Sequence, residues 1–399
     1  MPVDTAAAVR RLMQFLQAPG VTGHEQPIGK AVKAALIEAG VPSRHVWFDD
    51  AHSRIPVPTP TGNLIVQLPG TLKDRPRLLF SAHLDTVPLC AGARPRHSGR
   101  KIINDAAGSA LGGDNRTGCG VLVTLAAELL ANDLPHPPLT LLFTVREESG
   151  LHGARHLDPA ALGGVTMGFN YDGRSASDVI VGAVGADRWE VDIHGKAAHA
   201  GVAPEKGVSA TMILALALAD VRAGGFWGKV TLPEGEGTSN VGVVGGPDGV
   251  GPAGDATNVV TDFVHVKGES RSHDPKVFRL ITAAYKEAFA TAAAAVTDDA
   301  GKPGKATFRG RTDYLPFRLK DGSAVVKAAV AAIASLGKTP NVRVANGGLD
   351  ANWFVKHGIP TVTFGAGQND IHTIDEWVDL AEYEAGCELA VALATAGCV

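Results

Sequence analysis

Leu78-Leu79-Phe80-Ser81-Ala82-His83-Leu84-Asp85 decides how the rest of the chain is read. An apolar run of this length, without polar alternation, reads as a strand buried on both faces. It ends on an imidazole and a carboxylate, groups that are costly to bury without partners. Three other runs follow the same plan. Leu141-Leu142-Phe143-Thr144-Val145 leads to Glu147-Glu148, Val165-Thr166-Met167-Gly168-Phe169 leads to Asp172, and Ile359-Pro360-Thr361-Val362-Thr363-Phe364 leads towards His372. Asp114 lies in a Gly-rich turn that opens a helix. In an open parallel sheet the carboxyl ends of the strands share one edge, and ligands bind there. The pattern therefore predicts that His83, Asp114, Glu148, Asp172 and His372 meet, with the donor count for two metal ions and Asp114 as the bridge.

The neighbouring segments support an α/β architecture. Helical spacing runs over 4–17 and 28–39, strands over 63–68 and 77–83, a long apolar helix from 113 to about 131, and strands over 140–145 and 165–170 around a helix at 152–157. Repeated strand and helix argue for a largely parallel sheet. Near residue 183 the pattern changes. Strand 188–194, helix 204–222, strands 238–245 and 257–267, helix 273–295 and strand 305–311 give the order β-α-β-β-α-β of a ferredoxin-like unit. The chain is thus divided into a first catalytic segment 1–185, an inserted domain 186–316 and a second catalytic segment 317–399. That last segment carries a helix over 323–336, a turn at Asn346-Gly347-Gly348 and a helix over 350–356.

Composition narrows the function. The 399 residues carry a formal charge of −4 and no long basic tract, which argues against nucleic acid or an anionic membrane as partner. No apolar window reaches a membrane-spanning length, and the N-terminus lacks the pattern of a signal peptide. The four cysteines, Cys90, Cys119, Cys387 and Cys398, form no CxxC pair, which fits a reducing, cytoplasmic setting. Gly249 to Gly254 matches GxGxxG but contains Pro252 and leads into a strand, so a dinucleotide site is not indicated. His24-Glu25 lacks the second histidine of HExxH, and no GxSxG elbow exists.

Each site residue also has an ordinary explanation. A lone HxD is usually a buried histidine satisfied by a carboxylate, Asp114 could cap a helix, Asp172 could sit in a turn, and His372 could be a loop histidine. Their joint placement favours metal binding. His83 is read as a ligand with Asp85 behind it, fixing the imidazole tautomer. Adjacent side chains leaving a strand diverge, so Glu148 is read as the ligand and Glu147 as the general base beside the metal.

With these motifs in place the chain resembles the two-zinc metallopeptidase superfamily that includes peptidase T, carboxypeptidase G, aminoacylase and the succinyl-diaminopimelate desuccinylases. The resemblance rests on 81–87, 111–118, Glu147-Glu148-Ser149-Gly150, Tyr171-Asp172-Gly173 and Asp370-Ile371-His372-Thr373, and it covers essentially the whole chain. It implies a three-layer zinc-peptidase-like catalytic domain and two zinc ions per subunit, with manganese or cobalt as substitutes. His83 and Asp172 would complete one site, and Glu148 and His372 the other. The inserted domain would be a lid and dimerisation domain. His199, in Gly195-Lys196-Ala197-Ala198-His199-Ala200-Gly201, would reach the active site of the partner in a homodimer. Asn258 and Arg271 would grip substrate. Asp at 172, the Gly347-Gly348-Leu349-Asp350 run and the long spacing from His83 to Asp114 lean towards the peptidase T branch. Asn115 and Thr261 depart from its usual Asp and Pro. The expected reaction is hydrolysis of small peptides by a hydroxide shared between two ions. An N-acyl amino acid deacylase on the same scaffold is the alternative, and a non-catalytic metal-binding relative a remote one.

Overall fold

The computed structural model of the chain describes residues 3–72 and 74–396; Cys398 and the first two residues of the N-terminus lie outside them. The chain folds into two compact units, one of residues 1–182, 318–345 and 349–399, the other of residues 183–317 and 346–348.

The first unit is built on a nine-stranded sheet. Its strands follow the order Val46–Phe48, Leu64–Leu68, Leu139–Thr144, Leu78–His83, Met167–Tyr171, Thr361–Phe364 and Asp178–Ala183, with two short strands at the far edge. The middle four are parallel, and antiparallel pairs flank them. These four are the apolar runs of the sequence, buried on both faces along most of their length. The Gly113–Ala131 helix packs on the Leu78–His83 strand and is itself covered by the Thr5–Gln17 and Leu380–Thr395 helices. It has no solvent face from Gly113 to Leu129, which explains why its sequence is apolar all round. Gly118 permits the close fit: a Cβ there would lie 2.6 Å from the Tyr171 carbonyl oxygen and 2.8 Å from the Ala82 Cβ. Asp4 and Asp379 cap the two covering helices by accepting the amides of Ala7 and Ala381, each cap being worth about 1 kcal/mol.

A small four-stranded sheet, Gln368–Asn369, Trp377–Asp379, Lys101–Asn104 and Pro95–Ser98, joins the segments around Asp114 and His372. The sequence pattern assigns no strand to either segment. Their strands are two to four residues long, too short for alternation to register.

The second unit is a five-stranded antiparallel sheet. Lys305–Tyr314, Gly185–His194, Phe263–Ser272 and Gly235–Gly245 take the 4-1-3-2 order of a ferredoxin-like unit, and Gly228–Leu232 adds an edge strand that the sequence pattern does not predict. The Ala210–Ala223 and Pro275–Ala295 helices cover one face over a core that includes Trp189, Ile213, Tyr285 and Phe289. Two boundaries differ from expectation. The helix expected from 204 begins at Ala210, because Val208 and Lys196 exchange backbone hydrogen bonds before Ser209 caps the helix. The strand expected from 257 begins at Phe263, because Val260 and Asp262 bond to the backbone of the 195–198 turn.

Candidate metal centre and active site

His83 is the last residue of its strand and sits opposite Thr144, the last residue of the neighbouring strand. Beyond Thr144 the chain turns through Arg146, at φ 53°, and presents Glu147 and Glu148. Buried carboxylates hold this turn through its backbone. Glu25 Oε1 accepts the amides of Arg146 at 3.1 Å and Gly23 at 2.7 Å. The two oxygens of Asp85 accept the amides of Glu147 at 3.0 Å and Glu148 at 3.1 Å. His83 Nδ1 donates to the Asp85 carbonyl oxygen at 3.0 Å, closer than the Asp85 carboxylate at 3.5 Å. That bond assigns the Nδ1–H tautomer and leaves Nε2 facing Asp114.

Asp114 lies between two imidazoles. Its Oδ1 is 3.0 Å from His83 Nε2 and its Oδ2 is 3.2 Å from His372 Nε2. His83 Nε2 is also 3.9 Å from Asp172 Oδ1, and His372 Nε2 is 3.0 Å from Glu148 Oε2. The five residues therefore form two trios, His83–Asp114–Asp172 and Asp114–Glu148–His372, each with donor atoms within 4.8 Å of one another and with Asp114 in common. The turn that carries Asp114 has a cis bond to Asn115, and the side-chain Nδ2 of Asn115 donates to the Tyr171 carbonyl oxygen at 2.7 Å.

The electrostatics of the cluster call for cations. Burial pushes the Glu147 carboxyl well above the usual range, with Asp172, Glu148 and Asp350 adding repulsion and His83 opposing it. Burial and Asp114 raise Asp172 likewise. Burial and Asp114 push Glu148 up to about 7, with His372 as its counter-charge. Burial alone would raise Asp114, but its bonds to His372 and His83 hold it below the usual range. Asp114 and Glu148 push the His372 imidazole up to about 10. Burial works against a charge on His83, and Asp114 and Asp85 nonetheless raise it well above its ordinary value. Several carboxylates thus share two imidazoles, and Arg116 is turned instead to the carbonyl oxygens of Leu84, Ala18 and Gly20. Oxygen and imidazole donors in this number and spacing fit two divalent ions.

Asp350, Glu25 and Glu376 are parts of this environment that sequence reasoning does not assign. Asp350, at the start of the Asp350–Lys356 helix, accepts from the Thr144 hydroxyl, and burial pushes its carboxyl up to about 6. Glu376 accepts the amides of Gly112 and Asp114. The only signals are the unusual Gly347-Gly348-Leu349-Asp350 run and the position of Glu376 four residues after His372.

The remaining expected residues belong to the second unit. His199 is exposed, and its backbone bridges to Val259. The amide of Ala200 donates to the Asn258 carbonyl oxygen at 2.8 Å, so His199 and Asn258 are neighbours. Arg271 lies near the far end of the Phe263–Ser272 strand, where it makes a two-pronged pair with Glu269 at 2.8 and 2.9 Å. The eight steps of strand from Phe263 to Arg271, roughly 26 Å at 3.3 Å per residue, keep it from joining His199 and Asn258 within this unit.

Comparison with known proteins identifies the family. The sequence profile of peptidase family M20/M25/M40 matches residues 79–396. The chain belongs to that family. Protein YqjE of Bacillus subtilis, itself uncharacterized, is 32% identical over 395 residues, 98% of each chain. Among solved structures, the aminopeptidase PepT from Bacillus cereus is 32% identical with a TM-score of 0.79 over 98% of both chains. A tripeptidase from Staphylococcus aureus is 27% identical with a TM-score of 0.84 over 99% of both. This M20 member lies on the peptidase T-like side of the family and is a metal-dependent peptide-bond hydrolase. No helix among its described residues is long and apolar enough to cross a membrane.

Proposed function

We propose that the protein hydrolyses small peptides at a two-zinc centre with Glu147 as general base. The observation that carries the reading is the position of Asp114, one carboxylate oxygen towards each imidazole. His83 and Asp172 would hold one ion and Glu148 and His372 the other, with Asp114 shared. Bound ions of this kind polarise a carbonyl and lower the pKa of water to about 7; manganese or cobalt could substitute.

The chain's own groups then manage protons and orientation. Glu147 Oε is the proton acceptor, and burial beside other carboxylates raises its basicity. It takes a proton from the attacking water and gives it to the nitrogen of the leaving amine. Asp85 keeps Glu147 and Glu148 apart and aimed by gripping both of their amides. His199, supplied by a partner subunit in a homodimer, would polarise the scissile carbonyl, and Asn258 and Arg271 would hold the substrate carboxylate. The exposure of His199 and Asn258 is compatible with that work. The free thiols of Cys90, Cys119 and Cys387, all buried, suit a cytoplasmic enzyme.

The similarity to PepT and to a tripeptidase favours peptides over N-acyl amino acids. A panel of free-amine dipeptides, free-amine tripeptides and N-acyl amino acids, offered to zinc-loaded protein and read by mass spectrometry, tests this. Cleavage of the free-amine tripeptides is expected. Release of acyl groups alone would assign a deacylase, and hydrolysis of neither class would refute the reading.

A further inference from the structure

We propose that Glu376 is the positioning residue that fixes Asp114 as the ligand common to both trios, an inference that rests on the two-ion reading above. Glu376 Oε2 accepts the Gly112 amide at 2.7 Å, and Oε1 accepts the Asp114 amide at 3.1 Å. The residue is 3% exposed, so these charge-assisted bonds are shielded from water. The turn they grip is tightly defined. Gly112 has φ 84°, and a Cβ at Gly113 would lie 2.7 Å from a Val378 methyl. The Asp114 side chain leaves the backbone inside this turn, so the direction of both its oxygens follows from the amides that Glu376 holds.

The origin of Glu376 gives the clamp its meaning. It lies four positions after His372 and just before the Trp377–Asp379 strand, which pairs with Lys101–Asn104. This one segment brings His372 directly to the second trio. It gives no ligand to the first trio, His83–Asp114–Asp172, and reaches it through Glu376 and Asp114. The geometry requires a carboxylate. Two converging N–H donors need two acceptor oxygens, and a glutamine would turn its own NH2 towards one of them. Removing outer partners of this type typically lowers metal affinity about 10–100-fold.

The test separates the clamp from the ligand that shares its segment. Zn2+ affinity is measured by competition with a chromophoric chelator for the full chain and for His372→Ala, Glu376→Gln, the double variant and Asp114→Asn. His372→Ala leaves one ion, held by residues outside the 369–379 segment. In that background Glu376→Gln should weaken the remaining ion about 10–100-fold and shift the absorption bands of bound Co2+. Unchanged affinity and an unchanged Co2+ spectrum in the double variant would overturn the proposal. Asp114→Asn tests the underlying reading separately: it should lose both ions, and retention of two ions at native affinity would remove that reading whatever Glu376 does. Glu376→Gln sets an NH2 against one buried N–H, so its metal-free thermal midpoint should fall as well, and the proposal is read from the metal affinity. A lowered midpoint together with native metal affinity would reduce Glu376 to a structural role and also count against the proposal.

Discussion

The two units of the chain handle charge in opposite ways. In the inserted unit, acids each meet a basic partner that reaches solvent: Arg309 is 2.7 Å from Asp192, Lys196 is 2.8 Å from the buried Asp298, and Arg188 is 3.0 Å from the buried Asp313. At the carboxyl edge of the first unit, Asp85, Asp114, Glu147 and Asp350 are all buried, with two imidazoles as their near counter-charges. Acids matched one to one by a cation that reaches water are compensated locally and report little about function. Buried like charges are expensive, and a chain that folds around them has another source of compensation. The contrast marks the first unit's edge as the site of chemistry, independently of any relative.

The largest expected effect lies in that acidic edge. Glu147→Gln should lower kcat about 10²–10⁴-fold while leaving the metal content unchanged, measured by peptide hydrolysis alongside elemental analysis. Normal turnover in that variant would move the base elsewhere.

A second expectation concerns pH. In the metal-free protein Glu148 and Asp350 are raised to about 7 and about 6, from ordinary values of 4.5 and 3.8. The folded state then holds more protons than the unfolded state between those limits, so stability falls as pH rises through the window. His372, raised from 6.5 to about 10, extends the decline upwards in the same direction. Asp114 acts in the opposite sense, its stabilisation being lost only as pH falls below its ordinary 3.8. Metal ions take deprotonated ligands and gain affinity with pH. The gap between metal-loaded and metal-free melting temperatures should therefore widen from about pH 5 to about pH 8. A constant gap would contradict the assignment of Glu148, His372 and Asp114 as ligands.

The smallest effect is expected in the inserted unit. Arg309→Ala breaks the exposed pair with Asp192 and should change unfolding free energy by less than about 1 kcal/mol, as measured by denaturant titration. A larger loss would mean that the sheet face does more than solvate itself.

The same contrast explains what is legible in the sequence. His83, Glu148 and Asp172 each close an apolar run, and strand-end logic alone brings them to one edge. The ferredoxin-like order of the insert is visible because its strands and helices are long. Gly228–Leu232 is not, since five residues beside a turn carry little periodicity. Glu25 and Glu376 escape sequence reasoning for a different reason. Each works by accepting backbone amides from distant segments, Glu25 from Arg146 across 121 positions and Glu376 from Gly112 across 264. Any residue type except proline can donate an amide, so such a contact leaves no mark on the partner's sequence. Glu25 stands in a His-Glu pair that fails a metal motif, although its carboxylate supports the turn carrying the base. Asp350 stands in an unusual glycine-rich run, but its hydroxyl partner, Thr144, reads only as strand.

The central claim is that two imidazoles and three carboxylates hold a pair of divalent ions through a common aspartate. Anomalous diffraction at the zinc edge from crystals of reconstituted protein tests it most directly. Two peaks are expected, one within ligand distance of His83 and Asp172, the other of Glu148 and His372, with Asp114 touching both. A map with no peak at this edge, or with peaks that leave Asp114 unliganded, would contradict the account.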